Sequence, residues 1–222
     1  MIKAIVFDFD GIILESSEIK TAAFMKMFEN ESEEIQKNMY KYHLNHMGFS
    51  RQRKFEYYYT EIKRQAIPKG RITKMSEQYS SLVLSEVIKA SFVPGMPSFL
   101  DRMSAKYALY IATGTPNDEI TTITEKRGLV KYFRGIYGSS ATKEAIINII
   151  LLKGYHPYEI VFFGDAESDR VSALNAGVHF VGRIAHGSEM MGEAQNKIYD
   201  FTDTLGIEKI LETISGFGEQ SE

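Results

Sequence analysis

The sequence predicts an α/β protein, a Rossmann-like parallel sheet with a helical segment inserted after its first strand. Three observations predict it. The chain opens on a short apolar run, Ala4-Ile5-Val6-Phe7, rich in branched residues and of strand character. From about Ser16 to Ala90 there is almost no strand signal; charged residues alternate with Phe, Met, Tyr, Leu and Ile at helical spacing. After Pro97 apolar strands and helical stretches alternate, the pattern of a parallel sheet covered on both faces.

Each element has its own justification. The first strand runs through Asp8. The helical stretch carries pairs such as Ala23-Phe24 and Met27-Phe28, and Ser81-Leu82-Val83-Leu84 continues the pattern. Its breaks fall near Gly48, Pro68-Lys69-Gly70 and Pro94-Gly95-Met96-Pro97. A helix over 98–104 leads to a strand over 107–112. Pro116 suits the first turn of a helix that runs to Lys126. A short strand over 135–138 precedes a helix over 143–153, closed by Gly154. Strands over 159–163 and 178–181 flank a helix over 169–175. A last helix spans 204–214, and 216–222 reads as a frayed tail.

Bulk properties narrow the function. The 222 residues suffice for one core with an accessory unit. With 26 basic and 29 acidic residues the net charge is −3, which argues against nucleic acid as a partner. No apolar stretch approaches the roughly 18 residues of a membrane span, and the opening run is too short for a signal peptide. Cysteine is absent, so disulfides, thiolate metal sites and cysteine nucleophiles are excluded. A cytoplasmic protein, monomeric or weakly dimeric, is expected.

The chemistry should lie where the strands end, because ligands of open parallel sheets bind at the strands' carboxyl ends. Asp8-Phe9-Asp10-Gly11 follows the first strand. Residues two apart on a strand share a face, so two carboxylates leave it together, and a cation or shared proton must offset their repulsion. Thr113-Gly114-Thr115 follows the second, Ser139 to Lys143 the third, and Gly164-Asp165-Ala166-Glu167-Ser168-Asp169 the fourth. Oxygen-only ligands suit Mg²⁺. A hydroxyl, a helix-start N–H and a lysine suit a phosphoryl group. A carboxylate can attack phosphorus while a second carboxyl moves the proton.

These motifs, in this order, resemble the haloacid dehalogenase superfamily. Asp8-Phe9-Asp10-Gly11-Ile12-Ile13 looks like its first motif and Ala112-Thr113-Gly114 its second. Lys143 looks like the third, and Gly164 to Asp169 the fourth. Val93-Pro94-Gly95 and Ala173-Leu174-Asn175-Ala176-Gly177 resemble framing segments of the phosphoglycolate phosphatase and β-phosphoglucomutase branch. The resemblance implies a catalytic core over 1–15 and 95–222 and an inserted α-helical cap domain over 16–94. It implies Asp8 as nucleophile and metal ligand, with Asp10 as general acid and base that also offers its backbone carbonyl to the metal. It implies Thr113 and the Gly114 backbone as phosphoryl holders and Lys143 as a bridge between Asp8 and the phosphoryl group. Asp165 and Asp169 complete the Mg²⁺ site. In the cap, Gly48-Phe49-Ser50-Arg51 resembles a loop that reaches the active site, so Ser50 and Arg51 are candidate substrate contacts. Two departures mark the linker: Glu15-Ser16 where Asp-Ser is more common, and Lys20 where His is common. Lys20 would add positive charge near the cap hinge, so an acidic, carbohydrate-derived substrate is expected.

Plainer readings stand beside these. Asp169 and Ser50 are each suited to cap a helix, Lys20 to an exposed helix face, and Lys126 or Lys131 to replace Lys143. The histidines at 43, 46, 156, 179 and 186 do not form a zinc site; a pocket role for His43 or His46 stays open. Tyr57-Tyr58-Tyr59 and the ten methionines read as packing. The expected activity is a Mg²⁺-dependent phosphatase for a small phosphorylated metabolite, a sugar phosphate or an acidic organic phosphate, through an aspartyl-phosphate. The alternatives are a β-phosphoglucomutase-like phosphomutase and, more distantly, a phospho-accepting receiver module.

Overall fold

The computed structural model describes residues 1–185 and 194–216. The expectation of a frayed tail, apart from Gly216, and His186 lie outside the described residues. Among the described residues one parallel sheet has the order β3-β2-β1-β4-β5-β6. The strands are β1 (Ala4–Phe7), β2 (Ala108–Ala112), β3 (Phe133–Tyr137), β4 (Ile160–Gly164), β5 (His179–Arg183) and β6 (Asn196–Ile198). β1, β2 and β4 are buried at every position, as continuous apolar runs with both faces covered should be.

The period of two sorts the side chains of these strands. Ile5, Phe7, Leu109, Ile111, Val161 and Phe163 pack under α5 (Met96–Ser104) and α9 (Thr204–Gly216). Ala4, Val6, Tyr110, Ile160 and Phe162 pack under α7 (Lys143–Leu151) and α8 (Glu167–Asn175). The Phe7 ring stacks on Phe163 with centroids 5.5 Å apart and meets Phe99 and Phe133 edge-on. α6 (Asn117–Lys126) joins β2 to β3.

The insertion after β1 forms α1 (Ser17–Lys26), α2 (Glu33–Asn45), α3 (Arg51–Tyr57), a π-helical turn over Tyr58–Ile62, and α4 (Arg71–Lys89). Their inner faces share one aromatic centre: Phe24 stacks on Phe55 at 5.9 Å, and Tyr79 meets both edge-on. Phe9, Ile12, Ile13 and Leu14 make this apolar interior continuous with the one beneath the sheet. Tyr58 and Tyr59 are buried and Tyr57 stacks on Tyr42, so the tyrosine run serves packing.

Several boundaries differ from the sequence expectation, each for a local reason. Pro116 precedes α6 in an extended conformation, φ −54° and ψ 150°, instead of occupying its first turn. α8 begins two residues early because Asp169 accepts from the Ala166 N–H and closes the first turn. β6 was not predicted; Asn-Lys-Ile is too short and polar to register, and only pairing with β5 makes it a strand. No helix among the described residues is long and apolar enough to cross a membrane.

Candidate active site

β1 lies between β2 and β4, so the loops leaving those three strands open side by side. Asp8 continues the ladder, donating its N–H to Phe163 O at 2.9 Å, and only then does the chain turn. Gly11 makes the turn at φ +76°, where a side chain is strained. A Cβ there would stand 1.9 Å from Asp165 Oδ2, so the glycine also makes room for the carboxylate arriving from β4. Arg183 at the end of β5 braces the turn from below: it donates to Gly11 O at 2.7 Å and pairs with both Glu15 oxygens. That pairing gives the unusual Glu15 a structural partner.

Two clusters of opposite character result. In the first, Asp8, Asp165 and Asp169 offer carboxylate oxygens within 4.8 Å of one another. Lys143, at the start of α7, reaches Asp8 at 3.0 Å and Asp169 at 2.5 Å. Burial pushes Asp8 up to about 7, with Lys143 opposing and the neighbouring carboxylates adding to the rise. Burial and the charge of Asp8 push Asp165 well up. Burial would depress Lys143, but Asp169 and Asp8 outweigh it and hold the ammonium above its usual range.

In the second cluster Asp10 pairs with Lys20 and accepts from Ser16 Oγ at 2.6 Å and Thr115 Oγ1 at 3.2 Å. Burial alone would raise its pKa; the Lys20 charge and these hydrogen bonds outweigh it and hold Asp10 ionised. Two acids two residues apart thus sit in opposite surroundings, Asp8 among carboxylates and one lysine, Asp10 against a cation and two hydroxyls.

The structure gathers most of the predicted residues. Asp8, Asp10, Lys20, Arg51, Thr113, Gly114, Lys143 and Asp165 line one pocket between the insertion and the strand ends. Asp169 is fully buried behind Lys143, both helix-cap and cluster member. Lys20 is not a solvated helix residue but a partner of Asp10 and Thr115. Arg51, expected to contact substrate, instead makes a bidentate contact to Glu119 of α6, at 2.6 and 2.7 Å. Ser50 caps α3 by accepting from the Arg53 N–H and lines an adjoining cavity instead. The Gly48-Phe49 backbone fits beneath the core: a Cβ on Gly48 would stand 2.2 Å from Ser168 Oγ.

Sequence reasoning missed Ser16, Ser17, Thr115, Lys54 and Glu119, and left His43 open. Thr115 follows the same strand end as Thr113, and Ser16-Ser17 follow the first motif after two intervening residues, so both were within reach. Lys54 and Glu119 carry no sequence signal, because only the packing of helices turns them inward.

The comparisons with known proteins bear on this geometry. The model of the haloacid dehalogenase-like hydrolase family matches residues 5–183. The chain belongs to that family. No curated protein sequence matches it. Among solved structures this family member resembles a β-phosphoglucomutase from Clostridium difficile, with 18% identity, TM-score 0.76 and coverage of 99% of this chain and 100% of the other. It also resembles a predicted phosphoglycolate phosphatase from Haemophilus somnus, at 19% identity and TM-score 0.70, covering 93% and 98%. CbbY from Rhodobacter sphaeroides, in complex with phosphate, aligns at 17% identity and TM-score 0.72, covering 91% and 96%. These likenesses establish the haloacid dehalogenase-like α/β fold. The receiver-module alternative finds no support in them.

Proposed function

We propose that this family member is a Mg²⁺-dependent phosphatase that hydrolyses a small phosphorylated metabolite through an aspartyl-phosphate on Asp8. The observation that carries the reading is the contrast at β1: Asp8 against Lys143 and two further carboxylates, Asp10 against Lys20 and Thr115. The donor set fits the metal. Three carboxylates, Asp8 and Asp169 buried and Asp165 half-buried, gather around one lysine that pairs with Asp8 and Asp169, so the cluster carries more negative than positive charge when ionised. Asp8 and Asp165 would hold Mg²⁺, with Asp169 beside them and the Asp10 carbonyl as a further oxygen. When bound, the ion would supply positive charge to the carboxylates and the phosphoryl oxygens.

The chain's own residues do the rest. Lys143 and the Thr113-Gly114 loop hold the phosphoryl oxygens while an Asp8 oxygen attacks phosphorus. The ester oxygen leaves with a proton from Asp10. Asp10 is held ionised in the free protein, so it takes up that proton from solvent as the phosphate anion enters beside it and favours the protonated form. Having given up its proton, Asp10 then deprotonates the water that releases phosphate from Asp8. The insertion over 16–94 serves as a cap on the core of 1–15 and 95–222; Gly48-Phe49 closes over Gly114 and keeps out bulk water.

The test is phosphate release from a panel of sugar phosphates and acidic organic phosphates, with Mg²⁺ and with chelator. Metal-dependent release, one phosphate per turnover, is expected and separates hydrolysis from the phosphomutase alternative. Asp8→Asn should lower kcat at least about 10³-fold; wild-type turnover in that variant would refute the mechanism.

A further inference from the structure

Lys20, Arg51, Lys54 and Lys143 line the pocket. Three of them are matched by carboxylates: Lys20 by Asp10, Arg51 by Glu119, and Lys143 by Asp8 and Asp169. Lys54 is not. It is 4% exposed, yet its hydrogen-bond partners among the described residues are neutral: His43 Nδ1 at 3.1 Å and the Met47 carbonyl at 3.4 Å. A buried ammonium without a counter-charge is costly: the Phe24 ring 5.6 Å from Nζ compensates it only weakly, and burial with the charges of Lys20 and Lys143 pushes Lys54 down to about 7, so an anion beside it would restore the charged form.

The hydrogen-bond directions can be fixed from the far end. Thr21 Oγ1 lies 2.9 Å from the Ser17 carbonyl, which only accepts, so the hydroxyl proton points there. Thr21 Oγ1 must then accept from His43 Nε2 at 3.0 Å. Burial, with Lys54 adding to it, pushes His43 down to about 3, so the ring is neutral and Nδ1 is a bare acceptor. Lys54 fills that acceptor. With Met47 O it has placed two of the three N–H groups of an ammonium. Phe24 stacks on the imidazole at 4.4 Å and holds the pair against an apolar wall.

We infer that Lys54 is the specificity-determining residue of the insertion and donates its remaining N–H to a carboxylate on the substrate, at the end remote from the phosphoryl group. The inference rests on the phosphatase reading above. One unmatched charge and one free donor suit a monoanion. A second phosphate would bring about two charges to a wall whose other cations already face carboxylates. The enclosed space is about 70 Å³, less than the ~150 Å³ cavity that takes up one benzene ring, so the substrate is compact or enters as the insertion parts from the core.

The experiment compares three monoesters of equal chain length, ending in a carboxylate, a hydroxymethyl group or a second phosphate, in wild type, Lys54→Met and Lys54→Gln. The glutamine keeps a donor for His43 without the charge. Wild type should prefer the carboxylate ester over the hydroxymethyl ester about 10- to 100-fold in kcat/KM, mainly through KM. Both variants should lose that preference, the kcat/KM values of the two esters converging. Equal kcat/KM for the two esters in wild type would overturn the inference and needs no variant to fold. So would a preference that survives both substitutions, or a preference for the bisphosphate. Each of these leaves the phosphatase reading standing, whereas no release from any ester would remove both.

Discussion

At the scale of single residues, position 11 shows how one side chain, or its absence, sets up a site. Gly11 adopts a positive φ that costs an L residue about 1–2 kcal/mol. It also leaves the space that Asp165 Oδ2 fills. Gly11→Ala should therefore do more than strain a turn: its methyl must displace Asp165 or Ser17. The expected result is a Mg²⁺ half-saturation raised at least tenfold, with a fall in Tm of only a few degrees. Titration of activity against Mg²⁺ checks it, and an unchanged half-saturation would show that Asp165 does not depend on the gap. Asp8 and Asp10 teach the complementary lesson. Their identities made chemistry legible, but Lys20, four residues into a helix, is what holds Asp10 ionised.

Among the elements, the contact between α3 and α6 matters most. Arg51 and Glu119 form a bidentate pair buried on both sides, with Ser80 of α4 donating to the same carboxylate at 2.5 Å. Removing one partner of such a pair leaves an uncompensated buried charge and costs about 3–5 kcal/mol where the loss cannot relax. The insertion has an escape: α3 and α4 can separate from α6 and hydrate the guanidinium. Glu119→Gln should thus open the insertion more than it unfolds the protein. Faster amide exchange in α3 and α4, with the sheet still protected, is the expected outcome. Uniform acceleration throughout the chain would instead mean that the pair supports the whole fold.

For the whole molecule, the acidic cluster links stability to pH and metal. Asp8 and Asp165 have raised pKa values, so in the metal-free protein they ionise later than in the unfolded chain. The unfolded carboxylates ionise near pH 4, and Asp8 does so near pH 7 in the folded protein. Between those limits the folded state binds more protons, and stability from these groups falls as pH rises. Asp10 shifts the other way, so its contribution is lost only as pH falls below the unfolded value near 4 and is constant through this window. Bound there as proposed, Mg²⁺ would add positive charge where the carboxylates are ionised, so its stabilisation should grow with pH. The Tm gain from millimolar Mg²⁺ over chelator is expected to be several degrees at pH 8 and close to zero at pH 5. An equal gain at both would place the ion elsewhere.

The sequence by itself determined the parallel sheet, its interruption by helices and the strand ends that carry Asp8, Thr113, Lys143 and Asp165. It could do so because those properties are local: an apolar run makes a buried strand, and the residue after it lands at the sheet's edge. Asn196–Ile198 escaped because its strand character comes wholly from its neighbour β5. The helical insertion was legible as helices but not as a wall. Helical periodicity says that Lys54, His43 and Arg51 lie on some face, not which face meets the core. Only the tertiary structure gave Arg51 to Glu119, Lys20 to Asp10 and Lys54 to His43, because each pairing joins separate elements whose approach no spacing encodes.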